Sequence, residues 1–273
     1  MKALKKRPWW QVLLLLIGGF AVFTAFYALC QCLQPELHWL NLFCNILYCV
    51  SMIGIYALAV WTFERKLSSD LPAGKILPHV GAGLVIGTLF FCIVIGVLAL
   101  SGNCIVSYSG LKKWAFFLPL VQYFFVACSE EVIFRGIMFR IIDEKWGFVW
   151  AIVINSLFFG TAHMANPHCT IWTALAIAIE AGLLLSAAYK WSGTLWLPIG
   201  IHWAWNFVEG PVLGSPVSGG NSYDSVLKTS VSGSDIMTGG AFGLEGSIVT
   251  VIVGTAISAF FICRICCKEK TSE

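Results

Sequence analysis

Apolar runs of membrane-spanning length, separated by short polar breaks, occupy most of the chain. Eight are read, at about 10–33, 40–63, 79–100, 114–139, 147–164, 170–189, 194–208 and 246–265. A helix needs ~20 apolar residues to cross ~30 Å of hydrocarbon, and most of these runs reach that length. The fifth and seventh are shorter and broken by polar residues, so their ends are the least defined. The pattern predicts an all-α fold: a polytopic integral membrane bundle of about eight transmembrane helices. The first run does not read as a cleavable signal peptide. It is too long, lacks a small-residue cleavage site and is followed by further spans.

Composition agrees with the pattern. Of 273 residues, 58% are hydrophobic and only 11% charged, against ~25% charged in soluble domains. The basic residues are distributed unevenly. With an inside N-terminus, Lys2, Lys5, Lys6, Arg7, Arg65, Lys66, Lys75, Arg140, Lys145, Lys190, Arg264, Lys268 and Lys270 share the cytoplasmic side. Lys112, Lys113 and Lys228 fall outside, and Arg135 stays within the membrane. This asymmetry predicts both termini in the cytoplasm, in a multi-pass protein of the cell (plasma) membrane. Scattered over loop ends, the basic residues form no patch for nucleic acid. Tryptophans 9, 10, 39, 114, 146 and 191 sit near span ends, as interfacial anchors do.

The eleven cysteines form no zinc-ribbon or redox pattern and read as small packing residues. Cys128 lies two positions before Glu130, ~200° around a helix, and points away from it. Four regions follow: helices 1–3 in residues 1–113, a polar-studded core in 114–208, an extracytoplasmic Gly/Ser-rich loop in 209–245, and a last span with a cytoplasmic tail in 246–273. The loop reads as a flexible, solvated connector.

The chemistry lies in the fourth to seventh runs. "CSEEVIFRGIMF" (128–139) places two glutamates and an arginine inside a span, where each charge costs at least ~2.5–3.5 kcal/mol. Glu131 and Arg135, four apart, share a helix face and can pair. Glu130, rotated ~100°, has no such partner nearby. A carboxylate held in a poorly solvated cavity can act as a general acid or base. The fifth run places Asn155, Phe159 and His163 on one stripe. The seventh places His202 and Asn206 on one face, with Pro198 expected to kink that helix. Glu130, His163, His202 and Asn206 together can build a hydrolytic site: a glutamate and histidine to activate water, a histidine and asparagine to bind an oxyanion. Glu130, His163 and His202 also match the His₂Glu ligand set of catalytic Zn2+. HExxH is absent, so the sequence imposes no metal, and both schemes stay open.

"EEVIFR", "FGTAH" and "HWAWN" fit EExxxR, FxxxH and HxxxN in successive spans. Their order and spacing resemble the CAAX prenyl protease and bacteriocin-processing (CPBP, or abortive-infection) family of intramembrane proteases, over roughly residues 115–208. The resemblance implies a multi-helix protease, of glutamate or metallo type, in which Glu130 and His163 activate water and His202 and Asn206 stabilise the oxyanion. Glu131, Arg135 and Phe159 would be supporting residues. It also implies a protein or peptide substrate, membrane-associated or, for CAAX-type members, prenylated.

Two features do not fit simply. Counted from the cytoplasmic ends, Glu130 and His202 lie ~15 and ~18 Å deep and His163 ~25 Å, which predicts a broken or displaced fifth helix. Glu180, in the sixth span, reads as a partner for Arg135 or a histidine. Two other functions compete: a small-solute or proton transporter, and a non-catalytic protein such as a bacteriocin-immunity factor. Against a transporter, the polar residues gather in one half of the chain without a matching repeat.

Overall fold

The computed structural model describes residues 7–64, 69–110, 113–220 and 224–270. Among them, seven helices are long and apolar enough to cross a membrane: Trp9–Cys32, His38–Phe63, Ala73–Leu100, Phe116–Trp146, Phe148–Ala165, Ile171–Ser192 and Ile248–Lys268. The first and third are apolar all round, as lipid-embedded helices are. Leu14, Ile17 and Val22 on the first and Ile252 and Phe260 on the last remain exposed as lipid-facing surface. The six tryptophans read as anchors are exposed too.

The elements run α1 (Trp9–Cys32), α2 (His38–Glu64), α3 (Ile76–Leu100), β1 (Cys104–Tyr108), α4 (Lys113–Glu131), α5 (Arg140–Trp146), α6 (Phe148–Ala162), α7 (Ile171–Ile177), α8 (Leu183–Ser192), α9 (Trp196–Phe207), β2 (Leu227–Val231), α10 (Asp235–Thr238) and α11 (Ile248–Lys270). Three wide π turns interrupt the helical paths: Val132–Phe139 joins α4 to α5, Ala178–Gly182 joins α7 to α8, and Val208–Val212 extends α9. Such turns re-aim the residues around them and recur at functional sites.

The run at 194–208, read as a seventh span, differs from the others. It forms the short α9 and its wide turn, almost wholly buried at the centre of the bundle. Pro198 does not kink it. The helix begins at Trp196, so Pro198 falls in the first turn, where a missing N–H removes no helical bond. Contact with α3 fixes α9 in place. A Cβ on Gly83 would lie 2.6 Å from Leu197 O, and one on Gly87 2.6 Å from Ile201 O. Glycine is therefore what lets the two backbones touch, as in small-residue helix interfaces of membranes.

The Gly/Ser-rich loop is also not the solvated connector that its composition predicts. β2 pairs antiparallel with β1, Cys104 opposite Val231 and Tyr108 opposite Leu227. Leu213, Val217, Phe242 and Leu244 are buried. The glycines allow close packing: a Cβ on Gly219 would fall 1.8 Å from Pro167 O. Gly and Ser content announced mobility, whereas the widely spaced apolar residues between them pin the loop down.

Side-chain contacts sort the turns into two ends. Lys145 Nζ donates to Arg7 O at 2.9 Å, Lys190 pairs with Asp143 at 2.6 Å, and Trp196 Nε1 donates to Pro72 O at 3.1 Å. The start of α1 and the α2–α3, α5–α6 and α8–α9 turns therefore share one end. At the other, Asn103 Nδ2 donates to Ser232 O at 2.8 Å and Asn166 Nδ2 to Ser218 O at 3.1 Å.

Candidate active site

Glu130 and Glu131 close α4, immediately before its wide turn. Arg135, inside the turn, is fully buried, and its Nη1 donates to Glu131 Oε1 at 3.0 Å. Its Nη2 donates to the carbonyls of Ala181 and Gly182, at 3.2 and 3.3 Å, at the end of the second wide turn. The guanidinium carbon stands 4.4 Å from the centre of the Phe159 ring, a cation–π contact that is strengthened where water is excluded.

Glu131 has a second partner that helix spacing could not reveal. Its Oε1 also accepts from His202 Nδ1 at 2.8 Å, so one carboxylate oxygen joins α4 to α9. An ionised carboxylate only accepts, so Nδ1 carries the proton and Nε2 is the free nitrogen. That nitrogen lies 3.9 Å from Glu130 Oε2, which itself makes no hydrogen bond.

Helix α6 stops at Ala162, and His163 begins a short 3-10 turn. This early break, with the wide turn beside Glu130, resolves the mismatch in depth by bringing His163 to the same cavity as Glu130. His163 Nδ1 meets the Phe159 carbonyl at 2.7 Å. The carbonyl can only accept, so Nε2 keeps its lone pair. Phe159 packs between the two histidines, its ring 4.9 Å from His163 and 6.2 Å from His202.

Glu130, His163, His202, Asn206 and Phe159 line one cavity of about 220 Å³, while Glu131 and Arg135 brace it from behind. Sequence reasoning missed several of its members, Tyr27 and Glu245 among them. Tyr27, on α1, accepts from Gln31 Nε2 at 2.9 Å and lines the cavity with Glu130. Glu245, just before α11, accepts from Trp205 Nε1 at 2.8 Å and from Ser218 N and Oγ at 2.7 Å each. Tyr27 had no signal beyond a tyrosine in an apolar run. Glu245 was hidden in a loop read as solvated.

Three other sequence readings change. Asn155 shares a stripe with His163 but does not line the cavity; its Nδ2 donates to Ser186 Oγ at 2.9 Å. Glu180 pairs with neither Arg135 nor a histidine. It is fully buried, and neither oxygen accepts a hydrogen bond among the described residues. Among those residues, no three His, Cys, Asp or Glu side chains lie where they could hold one ion. The set Glu130, His163 and His202 is not gathered round one point in this arrangement. His202 turns its Nδ1 to Glu131 and His163 its Nδ1 to the backbone, which leaves the Nε2 atom of each ring free.

A multi-pass membrane bundle built round a cavity lined by glutamate, histidine and asparagine side chains is the class that this fold and cavity define. Residues 112–208, about a third of the chain, match the family model described as type II CAAX prenyl endopeptidase Rce1-like. Through this region the chain is similar to the CAAX prenyl protease and bacteriocin-processing family. It is similar to the protein named "Putative membrane peptidase YdiL" of Bacillus subtilis (strain 168), 34% identical over 73 residues. That match covers 27% of this chain and 28% of YdiL, so the chain spans little more than a quarter of that relative's length. No solved structure matches the chain.

Proposed function

We propose that the protein is an intramembrane endopeptidase that hydrolyses a peptide bond with a water activated by Glu130 and His163. The observation that carries this reading is convergence. Glu130 from α4, His163 from the break after α6, and His202 and Asn206 from α9 line a single cavity inside a membrane bundle.

In the proposed cycle, water lies between the unpartnered Glu130 Oε2 and the lone pair of His163 Nε2. Glu130 takes one proton as the water oxygen attacks the peptide carbonyl, forming a C–O bond and an oxyanion. Asn206 Nδ2 and His202 Nε2 stabilise that oxyanion. Because His202 Nδ1–H is committed to Glu131, Nε2 can donate only when the ring carries both protons. The C–N bond then breaks, and Glu130 returns its proton to the departing amine. Glu131, Arg135 and Phe159 hold His202 and the cavity wall in place. The partners are the bilayer and a polypeptide substrate.

The test is cleavage by purified protein in liposomes, offered a set of membrane-associated proteins, prenylated ones included. Wild-type protein should yield defined fragments, and Glu130→Gln, inserted and folded equally well, should yield none. Equal cleavage by both would remove Glu130 from the mechanism. No cleavage by either would return the protein to the non-catalytic class.

A further inference from the structure

Glu130 and Ala181 put the cavity near mid-span, and six other residues around it come from one half of the bundle. Tyr27 lies in the last two turns of α1, His163 and Asn166 just past the end of α6, and Asn206 near the end of α9. Ser218 and Glu245 belong to the long loop before α11. This is the end where Asn103 meets Ser232, not the end that holds Arg7, Lys145 and Lys190.

Among the described residues, that opposite end carries eight lysines and arginines, and the loop end carries two. Such a bias places the basic end in the cytoplasm. The cavity then extends from mid-span toward the outer face.

The loop is a built wall of this cavity. Ser218 has φ +48°, a left-handed conformation uncommon outside glycine. Its N–H and Oγ both bond Glu245, and its carbonyl accepts from Asn166. A residue in such a conformation persists where its surroundings over-determine it, as at ligand-facing sites. Glu245 also holds the indole of Trp205, the neighbour of Asn206. The lining includes the carboxylates of Glu130 and Glu245 and no lysine or arginine. A chain end with a free carboxylate would meet the like charge of these two carboxylates, with no lysine or arginine to pair it.

We infer that the cavity is entered from the extracytoplasmic face and takes an internal polypeptide segment that is neutral or basic, rather than a carboxylate-bearing chain end presented from the cytoplasm. The peptide part rests on the endopeptidase reading; the orientation does not.

The experiment has two arms. In the first, Ser218→Cys and, separately, Ile236→Cys are treated in intact cells with a membrane-impermeant maleimide, and labelled sites are mapped by peptide mass spectrometry. The native Cys266 and Cys267, at the exposed C-terminal end of α11, serve as the internal reference. Positions 218 and 236 should label before the cells are opened, and 266 and 267 only afterwards. The reverse order overturns the orientation. Ile236 is exposed and does not line the cavity, so its label reports sidedness even if Ser218→Cys fails to fold. In the second arm, matched fluorogenic peptides are added outside intact cells carrying wild-type protein or Glu130→Gln. One peptide carries lysine and an amidated end, the other glutamate and a free end. Glu130-dependent cleavage should favour the first at least about tenfold. Equal rates overturn the charge preference, and cleavage only after detergent overturns outward entry. No cleavage under any condition, with labelling still from outside, overturns the substrate assignment and the endopeptidase reading while the orientation stands.

Discussion

Adjacent glutamates divide the work here by the direction each one faces. Glu131 faces inward, where Arg135 and His202 both donate to the same oxygen. Glu130 faces the cavity with an unpartnered oxygen. Their variants should therefore differ in kind. Glu130→Gln should keep the thermal unfolding midpoint and lose activity by about 10²–10⁴, the usual share of a general acid–base group. Glu131→Ala or Arg135→Ala leaves a buried charge unpaired, a loss of ~3–5 kcal/mol, and should lower folded yield and midpoint as well as rate. An unchanged midpoint in both would show that the pair is not buried as described. Tyr27→Phe keeps the ring and removes only a hydroxyl from the cavity that Glu130 lines. It should slow turnover and displace the acidic limb of the pH–rate profile while leaving the midpoint in place. A profile identical to wild type would remove Tyr27 from the site. The motif residues were legible because spacings of four place Glu131 with Arg135 and His202 with Asn206. The bond between Glu131 and His202 was not, because it spans two helices separated by 71 positions.

Among the elements, α9 presents both His202 and Asn206, so its seat on α3 decides the site's geometry. Gly87→Val should sharply reduce the yield of folded protein, since any Cβ there meets Ile201 O and Ala204 Cβ at 2.6 and 2.8 Å. Overpacking of this kind typically costs 1–3 kcal/mol or more. Gly96→Val on the same helix, where nothing lies within 4 Å, is the control and should express normally. Equal yields would show that close backbone contact does not hold α9. Hydropathy located the helices well and their irregularities poorly. Lipid removes the contrast between inward and outward faces, so an apolar run does not tell a peripheral helix such as α1 from a central one such as α9. The three wide turns carry no composition of their own. They arise where tertiary contacts, such as Arg135 with the Ala181 and Gly182 carbonyls, compensate the altered ladder.

For the whole molecule, the central claim is that residues from separate helices act as one site on one bond. A double-variant cycle tests it most directly. Rates of peptide hydrolysis by purified, reconstituted protein are compared for wild type, Glu130→Gln, Asn206→Ala and the two combined. Asn206→Ala alone should cost about 10²–10³ in turnover, as loss of one oxyanion donor does. Groups that act as a unit are strongly non-additive. The combined variant should therefore be no slower than the slower single one. Losses that multiply in full, or either single variant at the wild-type rate, would contradict a shared site.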